Sequence, residues 1–472
     1  MFPMSIRTFL RAFAPWQVPV CVAYVRMPYS SVRGKIPRRG NWRIIMTQDT
    51  WLHQRNFRHL ALDTLWFGGL LGSSMAFLTV YAARLGASSL LIGLFTAGPA
   101  VVNLFFSLPA GRWLEGRSFP KQTFLSSLWH RLGYVCLIPL AWLLDAHGQT
   151  WAMALITLLM AIPGTLLAVS FNAMFAAVVP PEQRARLVGV RTAVMALAVI
   201  LTTLLCGQIL DAIPFPVNYQ LVFVIGGIAA AMSSFHLGKI RQSPGAPPMR
   251  QVGRPIRDPA RPGGLRFGDE LRNTFGLRFL TRAGDKSLLR FDLLHTPFGP
   301  LLGAYLAFYF FQYIPIPLFP LFWVRELKLT DAQISIANAL FYITLMVASL
   351  GVQRISAWLG NHRLFVLGAV LYGIYPLLTG LASDQWLLYL ASLMGGTVWG
   401  LTNSGLLTRL MERIPEDDRP AHMAFHNLAL NIGILTGSLV GPLMGDALGL
   451  RGTIILAAAL RLLGGVLIGI WG

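Results

Sequence analysis

Apolar residues along this 472-residue chain arrive in blocks of about 20, separated by short polar stretches. A helix rises 1.5 Å per residue, so a block of that length crosses the ~30 Å hydrocarbon core of a bilayer. The blocks lie near residues 60–83, 90–110, 123–144, 152–179, 188–210 and 221–237, then 301–324, 334–352, 364–381, 386–407, 423–444 and 453–471. Backbone polar groups in hydrocarbon have to be satisfied within their own segment, so these blocks are predicted to be helices. The strands of an outer-membrane barrel would be shorter and would alternate in polarity. The pattern predicts an all-α integral membrane protein with about twelve transmembrane helices.

Composition agrees. Only 12% of residues are charged and 55% are hydrophobic, and the mean hydropathy is +0.58. Soluble domains carry roughly 25% charged residues, so too little polar surface exists here to face water. The net charge of +20 changes the picture only through its placement. With the amino terminus taken as cytoplasmic, the even-numbered short loops hold Arg112, Arg117, Lys121, Arg184, Arg186, Arg191, Arg354, Arg363, Arg409, Arg413 and Arg419, and the opposite face only Arg84, Arg325, Lys328 and Arg451. That asymmetry is the positive-inside pattern; it predicts a plasma (inner) membrane protein with both termini cytoplasmic. The surplus basic charge reads as a topology signal and a contact for anionic lipid, not as a nucleic-acid surface. Cys21, Cys136 and Cys206 are an odd set that suggests neither a disulfide framework nor a metal cluster, and no cofactor is expected.

Residues 1–58 fit the rest poorly, with ten arginines and lysines against the single acid Asp49. They read either as a basic targeting leader or as an over-extended start, with Met46 opening a compact lead-in to the first helix. Residues 59–238 form a first six-helix half and residues 299–472 a second. The interval 239–298 is a linker on the Arg-rich side. Its Pro-, Gly- and Arg-rich first part reads as a tether. Its second part carries Leu271, Phe275, Arg278, Phe279 and Arg282 at helical spacing. That suits an amphipathic helix on the membrane surface, or equally a solvated helix against the cytoplasmic loops.

The chain also repeats itself. Pro180, Arg184 and Asp211 match Pro415, Arg419 and Asp446, all at an offset of 235, and LGASSLLIG after the first helix matches LKLTDAQIS after the seventh at an offset of 242. A parallel repeat of six helices encloses a central site between its halves. With this layout, the long central loop and the loop signatures, residues 60–472 resemble the major facilitator superfamily. The resemblance implies a secondary active or facilitative transporter that carries a small solute by alternating access, working as a monomer in the bilayer. In the loop PAGRWLEGR, Gly111, Glu115 and Arg117 stand at the positions of the family's conserved glycine, acid and base, although its basic cluster is incomplete. The resemblance implies a cytoplasmic gating role for these three, and for Arg184 and Arg419 in the loops after helices 4 and 10; the alternative is that these charges only fix topology. Gly433, Gly437, Gly441, Gly445 and Gly449 recur every four residues, a small-residue stripe suited to close helix packing.

Ionisable groups within the apolar blocks are few. Asp63 is either a coupling carboxylate or an acid favoured by a helix amino terminus. Arg131 reads as snorkelling or as half of a structural pair, and Arg461 lies too deep to snorkel, with no partner apparent. His422 and His426 share a face at the start of helix 11 and suit either proton transfer or a solvated helix start. By the family's layout, Ser73, Asn103, Asn172, Gln312, Asn338, Asn403, Asn427 and Asn431 lie on cavity helices, with Tyr305, Tyr309, Tyr313 and Trp399. Amides and aromatics with almost no fixed charge suit a neutral or amphiphilic solute; the alternative use of each is interhelical packing. No nucleotide-binding loop, paired intramembrane acids or nucleophile elbow is present to support an ATP-driven pump or an enzyme. A transporter-like sensor or scaffold stands as the competing class.

Overall fold

The computed structural model describes residues 40–114, 117–242, 291–415 and 419–472. Compact packing divides the chain into Met1–Gln48 and Asp49–Gly472, and the apolar helices belong to the second unit. The basic leader, the predicted linker helix around 271–282 and Glu115 lie outside the described residues.

Helix α1 (Gly40–Leu70) continues through a π-helical turn, Leu71–Met75, into Ala76–Arg84. It is followed by α2 (Ser89–Trp113), α3 (Phe119–Cys136, with a further turn at Leu140–Leu143), α4 (Ala146–Val178), α5 (Pro181–Ala212) and α6 (Val217–Gly238). Beyond the linker, α7 (Phe298–Tyr313) resumes at Leu318–Leu321 and ends in a π-helical turn, Phe322–Glu326. Then come α8 (Asp331–Leu359), α9 (Asn361–Leu371 and Ile374–Leu381), α10 (Gln385–Arg413), α11 (Arg419–Leu448) and α12 (Leu450–Trp471).

Local chemistry sets many of these limits. Thr330 and Gln333 form a reciprocal capping box at the start of α8. Asp145 and Asp384 accept backbone N–H groups at the starts of α4 and α10. Gly449 joins α11 to α12 with a φ of 77°, so the last residue of the glycine stripe is a turn residue and not part of the packing surface. Three predicted blocks are interrupted, 364–381 at Tyr372–Gly373 and two others at prolines: Pro139 falls in the break of α3, and Pro315 and Pro317 in that of α7. Each proline lacks the N–H that would continue the ladder.

Among the described residues, ten helices are long and apolar enough to cross a membrane. The protein is an all-α, multi-pass membrane protein. The two helices outside that set are α3, broken and carrying His130 and Arg131 in its middle, and α10, rich in Gly, Ser and Thr. Large apolar side chains such as Leu159, Leu201, Leu205, Val347 and Leu350 stand exposed on the helices' outward faces, as lipid-facing surfaces require.

The buried core is not uniform along the helices. At the ends of α1, α5 and α7 and the starts of α2, α6 and α8, one apolar cluster joins Tyr81, Tyr219 and Phe223 to Phe322, Trp323 and Ile334. Toward the Arg-rich ends the core of the described residues is two separate clusters. One surrounds Leu60, Val178 and Leu187 and the other Phe308, Leu410 and Phe425.

Candidate functional site

Among the described residues, three groups of interior polar side chains stand out. The first centres on Asp63 of α1, 3% exposed. Its Oδ1 accepts hydrogen bonds from Ser233 Oγ of α6 at 2.5 Å and from Arg131 Nη2 of α3 at 3.4 Å. Arg131 also donates to Ser127 and Ser234, at 2.6 and 3.2 Å. Arg191 approaches the other carboxylate oxygen only to 3.8 Å, while its Nε donates to Thr64 Oγ1 at 2.6 Å. Its guanidinium lies 4.5 Å from the ring centroid of Phe171 on α4 and 5.8 Å from that of Phe175. Arg191, counted among the loop charges from sequence, is therefore an interior residue of α5. The loop assignment failed because α5 starts at Pro181, well before the apolar block does.

The second group surrounds Arg461 of α12, 2% exposed. One Nη donates to the Gln312 carbonyl at 2.5 Å, and the guanidinium lies 4.4 Å from the centre of the Tyr372 ring. Its Nε and other Nη have no partner among the described residues, nor does Gln312 Oε1. Tyr372 stacks on Trp399 of α10, centroids 5.2 Å apart. The third group is Tyr309 and His426, joined by a 2.8 Å hydrogen bond between α7 and α11, with Tyr305 edge-on to the imidazole.

The remaining sequence-predicted residues divide between packing and open surface. Ser73 bonds back to the Gly69 carbonyl within the α1 π-turn, and Asn103 accepts from Thr165, tying α2 to α4. Tyr313 and Asn338 are half-buried, whereas Asn172, Asn403 and Asn427 are exposed. Asn431 donates to Asn427 one turn away. His422 is buried edge-on to Phe298, and so is not at a solvated helix start. Arg184 closes the end of α4 through the Val179 and Ala176 carbonyls. Arg117 lies over the Trp113 ring, six residues beyond Gly111 near the end of α2. The side chain of Arg419 lies outside the described residues.

Sequence reasoning missed a further set of contacts at the face opposite the Arg-rich loops. Arg84, ending α1, donates to Asp331 at 3.0 Å and to the Leu329 carbonyl at 2.7 Å. Arg325 donates to the Ala87 carbonyl at 2.6 Å. Asp211, ending α5, accepts the Ala332 N–H at the start of α8; Asp446, ending α11, accepts Ser89 Oγ at the start of α2. The two acids are a repeat pair, and each reaches a helix amino terminus, where negative charge is favoured. The matched positions were legible; that they bond across the molecule was not. These hydrogen bonds, which tie α1–α6 to α7–α12, all lie on this one face.

Comparison with known proteins agrees with this geometry. A structure of a singly substituted variant of the nucleoside transporter NupG superposes with a TM-score of 0.64 at 10% identity, covering 88% of this chain and 99% of that one. A POT family transporter in complex with 5-aminolevulinic acid gives 0.61 at 12% identity, covering 89% and 95%. A POT family transporter in complex with a thioalcohol-conjugated peptide gives 0.62 at 13%, with the same coverage. At such identities these likenesses show the fold. No curated protein matches the chain at a significant level. The family model of the Major Facilitator Superfamily matches residues 64–283 and 301–472. Over most of its length, then, the chain belongs to the major facilitator superfamily, and it is a membrane transporter and not an enzyme.

Proposed function

We propose that this transporter moves a small amphiphilic organic solute by alternating access, with α1–α6 and α7–α12 rocking as two pseudo-symmetric six-helix bundles. The divided core carries the reading: a single apolar cluster at one face, and one cluster per bundle at the other. Packing supports the same division. α1 with α5 and α6, α2 with α4, and α3 with α4 and α6 recur as α7 with α11 and α12, α8 with α10, and α9 with α10 and α12. Between the bundles, α5 meets α8 and α11 meets α2, the two equivalent crossings of a parallel repeat. The positive-inside pattern makes the Arg-rich face cytoplasmic, so the bundles are closed on the outer side and parted toward the cytoplasm. Both termini then lie in the cytoplasm, and a monomer in the inner membrane suffices.

The solute class follows from the lining. Tyr309, Trp399, Asn172, Asn403 and Asn427 supply aromatic faces and amides on helices that flank the parted region. The similar structures are transporters named for nucleosides or bound to 5-aminolevulinic acid and a peptide conjugate, which favours an organic solute. The test begins with a thermal-shift screen of purified protein against sugars, amino acids, organic anions and drug-like compounds. Counterflow of the hits in proteoliposomes follows. Saturable stabilisation with exchange of the same compound is expected; stabilisation without exchange would favour the sensor or scaffold class.

A further inference from the structure

We infer that the solute carries an anionic group and that Arg191 receives it. The inference rests on the transport reading above and adds the charge of the solute. Among the described residues, the interior groups contain three guanidiniums, Arg131, Arg191 and Arg461, against one carboxylate, Asp63. Uncompensated charge inside a membrane is costly and is retained where something pairs with it. Asp63 is already committed: Ser233 and Arg131 hold one of its oxygens. At 3.8 Å from the other oxygen, Arg191 makes no hydrogen bond with Asp63. Its Nε is used by Thr64, and the Nη that faces Asp63 stands in a long ion pair beyond hydrogen-bond reach, so an anion arriving at that edge would gain the closer contact.

Exposure separates the three groups of the cluster in the same way. The Arg191 side chain is 21% exposed, against 6% for Arg131 and 4% for Asp63. The Phe171 face steadies the guanidinium plane, and a held, planar fork suits bidentate recognition of a carboxylate or phosphate. Arg191 also lies toward the parted ends of the bundles, four residues beyond Leu187 of the separate α1–α6 cluster. At the repeat offset of 235 its counterpart is His426, which holds Tyr309. One bundle thus offers a guanidinium where the other offers an imidazole and a phenol. That difference suits a solute with an anionic end and a polar or aromatic end. Arg461, with Nε and one Nη unpartnered among the described residues, adds positive potential from the second bundle.

The test uses the full chain in detergent and a panel of monocarboxylates, dicarboxylates and phosphomonoesters, each beside its uncharged amide or ester. Saturable stabilisation by at least one anion, and not by its uncharged analogue, is expected. Arg191→Gln should weaken that binding by roughly 30-fold, as loss of one partner of a close charge pair does, with Arg191→Lys in between. If Arg191→Gln does not fold, Arg191→Lys decides, since losing the fork should still lower affinity. Three results would each overturn the assignment: no anion stabilises the protein, the uncharged analogue does so equally, or the Arg191 variants bind unchanged. Counterflow in proteoliposomes separates this from the transport reading. Exchange of an uncharged solute only would leave transport standing and remove the anion. Arg191-dependent anion binding without any exchange would keep the anion site and count against transport.

Discussion

Asp63 and Arg131 meet across 68 positions of sequence, and that pairing decides what each residue does. The chain alone places both in apolar helices and so marks them as costly. It supports a structural pair for Arg131 but cannot say with whom, because the partner comes from the packing of α3 against α1 and α6. From sequence Asp63 is either a coupling acid or, the favoured reading, a helix-terminal one; in the structure it is the counter-ion of a buried arginine. Removing Arg131 alone should therefore be severe. Arg131→Met is expected to destabilise the protein by about 3–5 kcal/mol, the usual cost of orphaning one member of a buried pair. Adding Asp63→Asn should recover a large part of that loss in a double-mutant cycle read by thermal unfolding. Asp63→Asn alone should leave the pH dependence of transport unchanged; loss of that dependence would restore Asp63 as the coupling site. Arg461 shows the limit of sequence more sharply, since its partners are a backbone carbonyl and an aromatic face, which no residue pattern announces.

At the scale of helices, small residues were the most legible feature. A side chain added at Gly433 would press on Tyr309 and Phe310, one at Gly437 on Phe310 and Tyr313, and one at Gly441 would run into the Ile314 carbonyl. The stripe thus sets how closely α11 approaches α7. Gly441→Ala is expected to cost about 1–3 kcal/mol through overpacking. Gly303→Ala, with nothing within 4 Å of the added atom, should be neutral or slightly stabilising, as removing a helix-interior glycine usually is. Equal melting temperatures for the two variants would contradict the packing role. Helix continuity was harder to read. Hydropathy averages across Pro139, Pro315 and Pro317, whereas the backbone breaks at them, since composition over twenty residues is blind to a single missing N–H. Ser73 illustrates the same difficulty: a hydroxyl on a cavity helix can satisfy itself on its own backbone.

For the whole molecule, hydropathy blocks, loop charge and the internal repeat carried the all-α membrane architecture and the superfamily resemblance. The conformation was not legible, because a transporter keeps one sequence in every state it visits. Its signature is the set of contacts at the face opposite the Arg-rich loops, of which Arg84 with Asp331 is an ion pair. Two-state rocking requires that weakening one face favours closure of the other. Distances between spin labels test this directly. One pair would sit at Ser88 and Lys328 on the contact face and another at Gln183 and Arg413 on the Arg-rich face, all exposed positions, with the native cysteines replaced. In the Asp331→Asn background, the first distance should lengthen and the second shorten together. If Asp331→Asn leaves both distances unchanged, or lengthens the first without shortening the second, the bundles do not alternate and the rocking mechanism is wrong.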